Sequence, residues 1–73
     1  MLVSDEQLEA FRESLVALLP ACHSYSSNAR EHAREYLNIA SYIAEIVGID
    51  VNFDADYTWV TVKPHEETSL KNP

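Results

Sequence analysis

From Leu8 onward, apolar residues recur at spacings of three and four: Leu8, Phe11, Leu15, Leu18, Leu19 and Cys22 form one stripe, with Glu6, Glu9 and Glu13 opposite. That spacing predicts a first helix. Ser4-Asp5-Glu6-Gln7 supplies its start as a capping box: the Ser4 hydroxyl accepts a backbone N–H near Gln7, and the Gln7 side chain reaches back. Pro20 lacks an N–H and clashes with the preceding turn, so the helix should end near it.

Residues 21–28 are rich in side chains that compete for backbone hydrogen bonds, and they read as a connection. A second helix is expected to be capped by Asn28 or Ser27 and to run to Val47, with Gly48 in the left-handed position beyond its end. Ala29, Ala33, Tyr36, Leu37, Ala40, Ile43, Ala44 and Val47 share one face of it. Ile39, Tyr42 and Ile46 lie outside that stripe, which widens the apolar arc beyond the roughly 100° of an ordinary surface helix. The helix should therefore be covered on two sides, by helix 1 and by the strands. If it is not, its second side is an oligomer or partner surface, with Ile39, Tyr42 and Ile46 at the interface.

After Gly48 the period drops to two. Ile49, Val51 and Phe53 alternate with Asp50, Asn52 and Asp54, and a second run from Tyr57 to Lys63 is rich in aromatic and β-branched residues. A turn centred on Ala55-Asp56, opened by Asp54 as the first residue of a type I turn, pairs Phe53 with Thr58, Val51 with Val60 and Ile49 with Val62. One face is then apolar, and the other carries Asp50, Asn52, Asp54, Tyr57, Trp59 and Thr61. Pro64 ends the second strand. The expected architecture is α+β, two helices followed by an antiparallel β-hairpin, in one domain over 1–64 with a flexible tail over 65–73; residues 1–3 offer a possible third strand.

Charge narrows the function. Five basic against twelve acidic residues leave a formal net charge of −7, which disfavours direct binding of nucleic acid or anionic membrane and favours a basic partner. One cysteine allows no intrachain disulfide, so a reducing compartment such as the cytoplasm is expected. The start of the chain lacks the basic and long apolar segments of a secretory signal.

The most informative surface is the expected outer face of the hairpin. Tyr57 and Trp59 are the residue types that anchor interfaces, and Asp50, Asn52, Asp54 and Asp56 around them would select basic partners. Asp5, Glu6, Glu9 and Glu13 form one acidic cluster and Glu45, Asp50, Asp54 and Asp56 a second, with Arg12 as their only base. Such spacing can imitate a row of phosphates. The favoured reading is a small, non-enzymatic, acidic protein-binding module that blocks a larger basic protein, itself nucleic-acid-binding. In size and charge it is analogous to phage inhibitors of the anti-CRISPR or DNA-mimic kind, though no motif carries that analogy. A solvated face that merely keeps the chain soluble is the plainer meaning of the same charges.

Two other classes remain. One is a homo-oligomeric accessory subunit, the simplest form being a homodimer. The other is a metal or thiol site at Cys22, His23 and His32, which lack the paired spacing of structural zinc; Cys22 continues an apolar stripe and reads better as core. Asp50-x-Asn52-x-Asp54-x-Asp56 opens like a Ca²⁺ loop but has Ala55 in place of Gly and Thr61 in place of the closing Glu. No metal or cofactor is expected. Arg30 and Arg34, alternating with Glu31 and Glu35, form the one positive patch.

Overall fold

The structure, a computed structural model, describes residues 3–65. The α+β architecture is as the sequence pattern predicts: helices α1 (Asp5–Val16) and α2 (Ser27–Ile46), then strands β1 (Ile49–Phe53) and β2 (Val60–Pro64) in an antiparallel hairpin. Of the expected tail over 65–73, residues 66–73 lie outside the described residues, as do residues 1–2 of the possible third strand over 1–3; the His65 N–H donates to the Gly48 carbonyl at 2.9 Å.

Both helix starts are set by serines. Ser4 accepts the Gln7 N–H at 3.1 Å while its own N–H donates to the Gln7 side chain at 3.1 Å, completing the capping box. Asp5 and Glu6 sit in the first turn, where carboxylates favour the helix dipole. Pro20 does more than end α1, since it opens a 3-10 turn over Pro20–His23 that carries Cys22 into the interior. The α2 cap is Ser26, one residue before the expected Ser27 or Asn28; its hydroxyl accepts the Ala29 N–H at 3.3 Å. Gly48 follows α2 with φ +88, the left-handed backbone that glycine adopts without a Cβ penalty.

The hairpin register differs from expectation by two residues. Phe53 pairs with Val60, Val51 with Val62 and Ile49 with Pro64, in place of Thr58, Val60 and Val62. Asp54 is the cause. Tyr57 N–H donates to the Asp54 carbonyl at 3.1 Å, closing the expected turn. The Asp54 carboxylate then takes the Thr58 N–H at 2.7 Å, the Thr58 hydroxyl at 2.5 Å and the Trp59 N–H at 3.4 Å. Residues whose N–H groups are claimed in this way cannot join the ladder, so pairing begins at Val60. A shift of two keeps every side chain on its face, whereas a shift of one would have inverted the sheet.

The core centres on Leu15, Leu37 and Val60, with Phe11, Leu18, Val51, Phe53 and Val62 packed around it. α1 lies on β2, and α2 lies on β1 and on the 3-10 turn. The two helices make few direct backbone contacts with each other, so the hairpin wedges them apart and a channel opens between them.

Candidate functional site

The wide apolar arc of α2 is covered on one side only. Leu37 is buried with Ala33 and Ala44, Ala40 is half-buried, and the alanines let β1 and the 3-10 turn approach closely. The larger residues face outward. Ile46 is 81 % exposed, Tyr42 74 %, Tyr36 62 %, Ile43 57 %, Ile39 51 % and Val47 41 %. The expectation of cover on two sides is therefore corrected: β1 and the 3-10 turn cover one side of the arc, and Ile39, Tyr42 and Ile46 are left open. Tyr36 and Ile43, expected inward, join them, because α1 packs on the sheet and leaves this flank of α2 free.

Beside this band runs a groove of about 760 Å³. Its walls are Phe11, Ser14, Leu15 and Leu18 of α1, Tyr36, Ile39, Ala40, Ile43, Ala44 and Val47 of α2, and its floor reaches Ile49. Ser14 and the Tyr36 phenol are the polar side chains among them, and the Ser14 hydroxyl already donates to the Ala10 carbonyl at 3.0 Å. No Asp, Glu, His, Lys or Arg side chain lines it. Its chemistry is that of apolar contact.

The aromatic pair expected on the outer hairpin face is split. Trp59 is 47 % exposed, in keeping with an accessible anchor. Tyr57 turns inward and packs against the core, with its ring stacked on Phe53 at 5.5 Å and the Arg34 guanidinium 4.7 Å from its centroid. Its hydroxyl accepts from the Asn38 amide at 3.3 Å, and its carbonyl accepts from His23 Nε2 at 2.9 Å. Its backbone has φ +58, unusual for a residue with a side chain, and these contacts hold it there. Strand alternation does not reveal this inward turn, because Tyr57 belongs to the loop before β2.

The acidic clusters are also less uniform than expected. On α1, Glu6, Glu9 and Glu13 are exposed on the side turned away from the groove, but Glu9 pairs with Arg12, whose guanidinium holds the Glu9 carboxyl below its ordinary value. In the hairpin, the observed register sets Lys63 opposite Asp50, and His65 Nδ1 lies 3.1 Å from the Asp50 carboxylate. Arg12 is thus not the only base. Asn52 and Thr61 share this outer face, while Asp54 serves the loop and Asp56 is exposed in the turn.

The positive patch is occupied internally. Arg30 donates to the Ser24 carbonyl at 2.9 Å and Arg34 to the Cys22 carbonyl at 3.0 Å, tying α2 to the preceding turn. Cys22 is fully buried, and burial pushes its thiol up, away from the reactive thiolate, while nearby Arg34 acts in the opposite sense. His23 is spent on Tyr57 and His32 is exposed. Among the described residues, no three His, Cys, Asp or Glu side chains gather as a metal-ligand set, and no helix is long and apolar enough to cross a membrane.

Protein-family models, curated protein sequences and solved structures yield no match to this chain. The open side of α2 with its groove is the largest apolar surface among the described residues.

Proposed function

We infer that this chain is a non-enzymatic protein-binding module that presents the open side of α2 to another protein surface. One observation carries the reading: Tyr36, Ile39, Tyr42, Ile43 and Ile46, five large apolar residues, are each more than half exposed along one helix. Contiguous apolar patches of this kind on small domains mark interaction sites, because their exposure to water is unfavourable unless something covers them. The net charge of −7 supports a basic surface as the wider target, with Glu6 and Glu13 on the far side of α1 and Trp59 at the hairpin as secondary contacts. A nucleic-acid-binding protein is the class of target that such an acidic exterior suits best.

Affinity capture with the whole chain tests both parts. Ile43→Glu should abolish recovery of protein partners while leaving the fold intact, since Ile43 is outward. Glu6→Lys with Glu13→Lys should remove the basic class and leave apolar contacts in place. Recovery that ignores Ile43→Glu would sink the binding-face reading; recovery that ignores the charge reversal would sink the basic target.

A further inference from the structure

We propose that the surface seated on the open side of α2 is a second copy of this chain, paired through α2 in antiparallel orientation. The proposal rests on the reading of that side as a binding face and names its occupant. Three observations converge on it.

The first is spacing. Tyr36, Ile39, Ile43 and Ile46 follow one another at intervals of three, four and three, the a and d positions of a heptad. That is the narrow seam along which two helices interlock side chains, narrower than the arc by which a helix packs onto a sheet. All four are exposed. An antiparallel pair centred between Ile39 and Ile43 sets Tyr36 of one copy opposite Ile46 of the other, and Ile39 opposite Ile43, so a single patch is complementary to itself, as two-fold symmetry demands.

The second is area. Taking about 200 Å² for a large side chain, the exposed fractions of the six open residues amount to something on the order of 700 Å². Each partner in a standard stable interface contributes ~800 Å². The groove beside the seam has apolar walls on α1 as well, with Phe11 and Leu18 ready to flank an incoming helix.

The third is charge. Glu35 is the one acid adjoining the seam, and antiparallel pairing keeps it at the opposite end from its counterpart, where a parallel pair would align the two. Glu6, Glu9 and Glu13 lie on the far side of α1 and stay in solvent, so the strongly negative exteriors of two copies do not meet. Domains this small commonly depend on association to supplement a limited core, and among the described residues the buried hydrophobic core is Leu15, Cys22, Ala33, Leu37, Ala44, Ile49 and Val60.

Sedimentation equilibrium across low to high micromolar concentrations reads the proposal. The chain should populate a dimer, its thermal midpoint should rise with protein concentration, and Ile46→Glu should shift it to monomer with the helical spectrum retained. The pair Ile39→Cys with Ile43→Cys should oxidise to a covalent dimer, since antiparallel pairing sets each new thiol against one from the other copy. A wild-type monomer throughout the range overturns self-association. In that case, loss of captured protein partners on Ile46→Glu leaves the binding-face reading standing, and unchanged capture removes both. A dimer indifferent to Ile46→Glu, or one in which the double cysteine variant fails to cross-link, overturns the antiparallel α2 seam.

Discussion

The two sides of α2 invert the usual relation between size and burial. The side against β1 and the 3-10 turn is largely alanine, with Leu37 as its one large fully buried residue, while isoleucine and tyrosine crowd the side open to solvent. A helix serving only its own core would be arranged the other way, because burial of each large apolar side chain contributes roughly 1.5–3 kcal/mol. Small residues on the inner side allow close backbone approach, while the large ones outside keep half or more of their surface in water. On the proposed reading, stability belongs to one side and association to the other.

Leu37→Ala offers the severest test of that division. It should destabilise the fold by about 3 kcal/mol, as removal of a fully buried leucine leaves both a cavity and lost contacts. For a domain this small, chemical denaturation should then find much of the population unfolded. A loss under about 1 kcal/mol would mean that the inner side is not the one holding the core.

Ser26→Ala and Gly48→Ala act on the ends of α2 and on both sides alike. Each should lower unfolding free energy by about 1 kcal/mol, the first by orphaning an N-terminal N–H, the second by forcing a Cβ into a left-handed backbone. The space around Gly48 is empty, so strain alone is responsible there. Gly48→Asn should retain more stability than Gly48→Ala, and equal losses would point instead to a steric clash.

Acidification probes the loop that holds Tyr57 beneath Arg34. Asp54 has its carboxyl held below the ordinary value of 3.8, first by the Thr58 hydroxyl and then by the backbone N–H groups of Thr58 and Trp59. A lowered folded value means the carboxylate's contribution is complete above the ordinary range and disappears as pH falls through the lowered one. Wild type should therefore exceed Asp54→Ala in thermal midpoint at neutral pH, with the gap closing only in strong acid. A gap constant with pH would show that the loop does not depend on the ionised form.

Ile46→Ala should have the smallest effect on the isolated chain, within about 0.5 kcal/mol at concentrations too low for association. Set beside Leu37→Ala, it sharpens the contrast between two apolar residues nine positions apart on one helix. A large loss in the dilute chain would show that the open side contributes to the monomer after all.

Local chemistry made the element types legible. Ser4 and Gln7 announced the first helix, the change from a period near 3.6 to a period of two at Gly48 announced the hairpin, and the apolar stripe carried Cys22 into the core as expected. The proposed binding surface was legible in part: Ile39, Tyr42 and Ile46 stood apart from the stripe, while Tyr36 and Ile43 did not. Periodicity measures how wide an apolar arc is but not which part of it a neighbouring element will cover. Tyr57 escaped for a different reason. Its position follows from a carboxylate three residues earlier taking two N–H groups out of the ladder, and alternation alone does not register such a competition.

By itself the sequence determined what is set by near neighbours: two capped helices, a hairpin with one apolar face, a buried cysteine and an acidic exterior. Only tertiary structure decided which way α2 would roll, how far β2 would slide and whether Tyr57 would join Trp59 outside. Each of these is a choice between local geometries of similar energy, and contacts between residues distant in the chain break the tie. His23 on the Tyr57 carbonyl, Arg34 over the Tyr57 ring and α1 on β2 supply those contacts, so the open seam of α2 is what remains after the rest of the chain has packed.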